Sequence, residues 1–277
     1  MRLDQEIVKR GLCESRTEAQ EVISSGNALV NNFVVTKQTK QVSDADEIQV
    51  ISRRKFVSRG GEKLEGAMLD TVNTNIKQFS ISNFQFSKNT DNSNIEYIDK
   101  REQMSDDRNT DAIRNMVQGK SALDIGSSTG GFTDCLLSYG IAHVDAVDVG
   151  SDQLHQKLRD DVRISLFENT DIRNFKSDKK YDIIVADLSF IKLNTVLKDI
   201  IKFGNINTYY FLLIKPQFEV GKGNTKKGIV KDNNLVDKVL SEYKTLSEDL
   251  GLKNVEIYPC HIKGGDGNQE YFLTNHI

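Results

Sequence analysis

The 277-residue chain has no tryptophan, two prolines, three cysteines and four histidines. Cys13, Cys135 and Cys260 are isolated, so no disulfide framework or paired zinc spacing is available, and lone thiols suit a reducing compartment. The histidines are equally scattered, and no metal is expected. No window approaches the ~18 consecutive apolar residues that a membrane span requires. The N-terminus, MRLDQEIVKR, places acids where a secretory leader needs an apolar stretch, so a cytoplasmic location without membrane contact is expected. A strong charge of one sign is also missing: the net charge is −3. For nucleic-acid binding, the distribution of charge then matters more than its total. What remains, 38% hydrophobic and 28% charged residues, is a globular composition long enough for one large domain and a small one.

The stretch Ala122–Asp134 reads ALDIGSSTGGFTD. An apolar run (Ala122, Leu123, Ile125) breaks into glycine at Gly126, Gly130 and Gly131, and Phe132 resumes a helical pattern. This is a strand, a tight turn and a helix start, where an open α/β sheet binds nucleotide-like ligands. A phosphate-cradling NTPase loop would need Gly-Lys-Ser/Thr after the glycines, and a dinucleotide fingerprint would need glycine where Ser128 stands. Asp-x-Gly-x-x-x-Gly-Gly instead resembles the S-adenosyl-L-methionine loop of methyltransferases. Asp148 ends the next apolar run, where a carboxylate suits ribose hydroxyls. On the loop alone, a different nucleotide and a ligand-free turn both stay open.

Residues 1–60 read as a separate module. Leu3, Ile7, Val8 and Leu12 have helical spacing, with Gly11 at the stop. Ser15 and Glu18 form a capping-box pattern that opens a second helix through Ile23. NALVNNFVV predicts a hairpin turning at Asn31-Asn32, and Glu47 to Ile51 a further strand. With R-L-D at the start, S-R-x-x-A at the second helix and G-x-x-x-V-N later, this module resembles the S4 RNA-binding domain. Residues 1–63 carry 11 Lys/Arg against 9 Asp/Glu. Arg2, Arg16 and Lys37 are the cations expected to meet RNA, because structured RNA is read largely through shape and phosphates. A cationic junction from Ser52 to Lys63, containing Arg59, leads into a helix carrying Leu64, Ala67 and Met68. From about 71 to 111 the chain turns polar and reads as a loose insertion. After the glycine turn, strands at 144–148, 164–167, 181–186, 209–214, 255–258 and 271–273 alternate with helices, including one at 234–250. Continuous apolar strands separated by helices predict a sheet covered on both faces. The expected fold is α/β: a Rossmann-like, seven-stranded methyltransferase domain over 61–277, behind a small α+β S4-like domain.

Asp148, Asp187 and Lys215 stand at strand ends, and Glu270 borders the last strand. Together with SRGGEKLEGA, LDIGSSTGGFTD, AVDVG, VADLSF, IKPQFEVGKG, KGIVKD and GNQEYFL, these features resemble the TlyA family. The likeness runs from Arg2 to Phe272 except for the insertion. That family combines an S4 domain with an FtsJ-type ribosomal RNA 2′-O-methyltransferase domain, and some members carry the label haemolysin. The resemblance implies a Lys-Asp-Lys-Glu catalytic set at Lys63, Asp187, Lys215 and Glu270. It also implies contacts of S-adenosylmethionine with Gly126, Ser128, Gly130, Phe132, Asp148 and, for adenine, Asp171. Ribosomal RNA or a ribosomal subunit is the implied partner, with cytidine the implied target and no obligatory protein partner evident. A ribose hydroxyl is a weak acid, so catalysis amounts to positioning plus deprotonation. Lys215 is assigned as base, Asp187 as its orienter, and Lys63 with Glu270 as the pair fixing the hydroxyl. Lys222 and Lys226, in the acid-free run 221–231, are expected to contact phosphates. The alternatives are an RNA-binding protein without activity and a cytolysin.

Overall fold

In the computed structural model, residues 1–24, 26–51, 55–82, 106–221 and 223–275 are described, and they form two units, Met1–Lys55 and Phe56–Ile277. In the first unit, α1 (Leu3–Lys9) and α2 (Arg16–Ser24) precede a three-stranded antiparallel sheet of β1 (Ala28–Val30), β2 (Phe33–Val34) and β3 (Ile48–Val50), ordered β2-β1-β3. Asn31 and Asn32 both adopt positive φ (53° and 66°), which is the twist a two-residue hairpin turn demands. The Ser15 hydroxyl accepts from the Glu18 amide at 3.2 Å, and the Glu18 carboxylate accepts from the Glu14 amide at 2.7 Å. Leu3, Ile7, Ala19, Val22, Ile23, Ala28 and Val30 form this unit's own core.

The second unit opens with α3 (Arg59–Ser82) and α4 (Asp106–Val117). Here the structure corrects the expected insertion. Residues 71–82 continue the helix that carries Lys63, and residues 106–111 begin α4, while 83–105 lie outside the described residues. The physical reason lies in buried positions that a polar composition conceals: Thr71 and Val72 extend the inward face of α3, and Ile113, Met116 and Val117 give α4 one of its own.

The chain then alternates β4 (Ser121–Ile125), α5 (Gly131–Ser138), β5 (His143–Val147), α6 (Gln156–Arg159), β6 (Ile164–Phe167), β7 (Ile183–Ala186), α7 (Leu197–Ile201) and β8 (Tyr209–Ile214). There follow α8 (Pro216–Glu219), a short hairpin of β9 (Thr225–Lys226) and β10 (Ile229–Val230), α9 (Asn233–Asp249), β11 (Val255–Pro259) and β12 (Tyr271–Asn275). The seven-stranded sheet has the order β11-β12-β8-β7-β4-β5-β6. Neighbours from β8 to β6 are parallel, and β12 is antiparallel to both β8 and β11. Alternation along β4 sends Ala122 to one core and Leu123 and Ile125 to the other, so both faces are covered. The order runs from β4 through β5 to β6 and then returns to β7 on the other side. The switch point where ligands bind in open sheets therefore lies between β4 and β7.

Candidate active site

At that switch point lies a cavity of about 340 Å³, lined by Gly126, Ser128, Asp148, Asp171, Asp187 and Phe190 among others. Gly126 closes β4 with φ +76°, and a Cβ there would lie 2.6 Å from the Asp187 carbonyl oxygen. Glycine lets two strand ends pack this closely. Ser128, at φ 47°, donates its amide to the Asp148 carboxylate at 2.8 Å, and Asp148 also accepts from the Gly150 amide at 2.7 Å. The carboxylate is thereby fixed against backbone donors at the cavity wall.

Asp171 is held by Arg173 through both Nε (2.9 Å) and Nη2 (2.5 Å). Those hydrogen bonds, opposed by partial burial, bring its carboxyl down to about 2, so it stays an acceptor. Gly130 and Phe132 do not line the cavity. Gly130 caps α5 with φ +90° and packs toward Leu154 and Leu158, while the Phe132 ring is buried 5.8 Å from that of Phe272.

The four ionisable residues expected to react form two ion pairs. Lys63 Nζ lies 2.5 Å from Glu270 Oε2, both buried, and Lys215 Nζ lies 2.5 Å from Asp187 Oδ1. The topology brings the pairs together. Asp187 follows β7 and Lys215 follows β8, at one edge of the parallel strands. β12 runs the opposite way, and its register of Tyr271 against Ile214 places Glu270 across from Lys215. Gln217 extends its amide nitrogen to Glu270 Oε1 at 3.5 Å. Burial raises the Cys260 thiol to about 12; Lys63 opposes that shift, and Glu270 and Asp187 add to it. One buried thiol thus senses charges from both pairs.

Several residues here escaped the sequence reading. Ser189 accepts from Lys215 Nζ at 2.9 Å and also lines the cavity; its signal was its place two residues after Asp187. Phe190 is 91% exposed at φ +66°, with its ring 5.3 Å from that of Phe218. An exposed aromatic in a strained backbone points to binding rather than packing. Asp124, fully buried in β4, accepts from the Thr133 hydroxyl at 2.6 Å. Burial, reinforced by the Asp187 and Asp148 charges and opposed by Thr133, pushes its carboxyl up to about 7. Among the described residues, Asp124 Oδ1 and the Ser127 hydroxyl are buried at the glycine turn without a hydrogen-bond partner.

Arg59 begins α3, and Lys226 is exposed in β9. Within the run 221–231, residues 225–230 form a hairpin rather than a free loop, turning at Lys227 (φ 52°) and Gly228 (φ 79°). Asn268, two residues before Glu270, holds it through Val230 N (3.0 Å) and Gly228 O (2.9 Å). Lys222 lies outside the described residues. In the first unit, Arg2 and Arg16 converge on buried Asp4, and Lys37 is exposed.

Comparison with known proteins agrees with this architecture. The FtsJ-like methyltransferase profile matches residues 99–276, and the S4 domain profile matches 1–48. Hemolysin A of Brachyspira hyodysenteriae is 36% identical over 276 residues, covering 98% of each chain. The 16S/23S rRNA (cytidine-2′-O)-methyltransferase TlyA of Mycobacterium tuberculosis is 34% identical over 278 residues, 98% of this chain and 88% of that protein. A solved, hemolysin-labelled structure from Streptococcus thermophilus matches with a TM-score of 0.62 at 28% identity, covering 99% of this chain and 87% of that one. Fold and site together define an FtsJ-like methyltransferase class with an S4 domain in front. Within that class, the chain belongs to the TlyA family. Among the described residues no helix is long and apolar enough to cross a membrane.

Proposed function

We propose that this chain transfers the methyl group of S-adenosylmethionine to a ribose 2′-hydroxyl of ribosomal RNA in the cytoplasm, with cytidine as the target nucleoside. The first unit supplies RNA affinity and the second the chemistry. The observation that carries this reading is the pairing of Lys63 with Glu270 and of Lys215 with Asp187, the last of which lines the switch-point cavity.

The cavity's donor set fits the cofactor. Asp148 offers carboxylate oxygens to a ribose diol and Asp171 an acceptor to an exocyclic amine, while the orphaned Asp124 and Ser127 atoms belong to the glycine turn and not to the cavity lining. When bound, the cofactor supplies an electrophilic methyl on a sulfonium. The protein's part is to aim and deprotonate the hydroxyl. Once its ammonium proton has passed to solvent, Lys215, positioned by Asp187 and Ser189, would take the hydroxyl proton on its neutral Nζ, while the bound cofactor would supply the methyl group to that oxygen. Lys63 faces the oxygen with positive charge, and Glu270 keeps that ammonium in place. Lys63 and Glu270 are both buried, and removing either partner strands a charge at a penalty of about 3–5 kcal/mol. Lys215→Ala leaves behind Asp187, which is 27% exposed, and is therefore the cleaner test. Purified chain with labelled cofactor and ribosomal subunits from cells lacking this protein should methylate a ribose. The variant should lose transfer and keep cofactor affinity. An unchanged rate in the variant removes Lys215 from the mechanism, and no transfer by the parent chain refutes the reading.

A further inference from the structure

Asp4, in the first turn of α1, is fully buried in the first unit. Its Oδ1 accepts from Arg2 Nε at 3.0 Å, and its Oδ2 accepts from Arg2 Nη2 (3.0 Å), Arg16 Nε (2.9 Å) and Gln20 Nε2 (2.8 Å). Burial alone would favour the neutral acid. The hydrogen bonds from Arg2, Gln20 and Arg16 win instead and hold the carboxyl far below the usual range. The Gln20 carbonyl is in turn fixed by Gln38 Nε2 at 3.1 Å.

The donors left over are the informative part. Arg2 Nη1 and both Nη groups of Arg16 have no acceptor among the described residues, and the two side chains are 34% and 50% exposed. Arg10, at the opposite end of α1, contrasts with them. Its Nε meets Glu6 at 2.9 Å, its Nη1 the Asp46 carbonyl at 2.7 Å and its Nη2 the Ser43 carbonyl at 3.1 Å, so it is consumed by the fold. Two guanidinium groups that would otherwise repel are gathered on one oxygen, and the cluster keeps one positive charge. An RNA phosphodiester carries one negative charge and presents two oxygens to such forks.

We propose that Asp4 is a positioning residue that orders Arg2 and Arg16 into a two-guanidinium clamp for one RNA backbone phosphate. The inference rests on the RNA-directed reading given above. It makes a prediction of unusual sign. Asp4→Asn makes the unit more positive, so bulk electrostatics alone would tighten RNA binding. Loss of the clamp loosens it, because two long side chains must then be ordered on binding.

The test is filter binding of the full chain to purified ribosomal RNA across a salt series, with thermal unfolding as the fold control. Asp4→Asn should weaken binding about tenfold. Arg16→Lys, at a half-exposed position that keeps its charge, should weaken it about fivefold while leaving the salt slope unchanged. Arg16→Ala should lower that slope by about 0.7–0.9, one phosphate contact, and adding Asp4→Asn to it should cause little further loss. If the parent chain binds and Asp4→Asn binds as well or better, the clamp is refuted. Should Asp4→Asn fail to fold, Arg16→Lys decides: parental affinity there refutes the clamp equally. Absence of salt-dependent binding by the parent chain overturns the RNA reading itself, and the clamp with it.

Discussion

Replacing Gly126 with alanine tests the close approach of two strand ends on which the site depends. At φ +76° any side chain incurs the left-handed penalty, roughly 1–2 kcal/mol. Its Cβ would also lie 2.6 Å from the Asp187 carbonyl oxygen, where ordinary contact begins near 3.4 Å. That oxygen is backbone, and the strand end cannot swing aside freely because the Asp187 amide donates to the Ile125 carbonyl at 3.0 Å. Gly119 is a matched control: its φ is +74°, but nothing lies within 4 Å of its Cβ position. Gly119→Ala should thus show the backbone penalty alone. Gly126→Ala should add the collision, for a total of about 2–4 kcal/mol and a fall in Tm of about 4–16 °C. Relief of the collision displaces Asp187 and, through their 2.5 Å pair, Lys215. A misplacement approaching 1 Å at reacting groups is worth up to about 10²-fold in rate. Scanning calorimetry and labelled methyl transfer on the two variants side by side separate the effects. If Gly126→Ala melts with Gly119→Ala and transfers methyl at the parental rate, the claimed contact does not matter and the reasoning fails.

Asp124→Asn should stabilise the protein in a pH-dependent way. Because burial raises this carboxyl from 3.8 to about 7, folded chains retain a proton that unfolded chains have lost over that interval, and parental stability declines as pH rises through it. The variant's Tm advantage should grow from pH 4 to pH 7 and level off by pH 8; a difference independent of pH would show that Asp124 is not the titrating group. Phe190→Ala should leave Tm nearly unchanged, since the ring is 91% exposed. RNA methylation should fall about tenfold, the worth of one base stacked on an aromatic ring, and undiminished turnover on ribosomal subunits would remove Phe190 from substrate contact.

The parts legible in the sequence are those governed by local rules. Apolar runs that stop at an ionisable residue located the ends of β5, β7 and β8, because a buried strand leaves its charges at its termini. The Ser15–Glu18 cap and the Asn31-Asn32 turn are likewise local chemistry. What escaped depends on contacts across the chain. Residues 71–82 look polar in composition, yet Thr71 and Val72 are buried because α3 lies against α5 and β12. Asp124 read as one letter of a glycine motif, and only the surrounding core shows that it is buried with one oxygen unsatisfied. Ser189 and Gln217 are ordinary polar residues until Lys215 and Glu270 stand beside them.

Which charges pair is the largest part that no local pattern carries, and it turns on the direction of one strand. Lys63 and Glu270 are 207 residues apart in sequence. They meet because β12 runs against β8, so that the residue before β12 rather than the one after it reaches the reactive edge. Were β12 parallel, Glu270 would stand at the amino edge, five residues of strand and roughly 16 Å away from Lys215. At that separation, beyond a Debye length in physiological salt, the carboxylate could not hold a buried ammonium in place. The reversed final strand is therefore part of the site itself, since it delivers the fourth charged group to an edge that parallel strands alone supply with three of the site's polar termini: Asp148, Asp187 and Lys215.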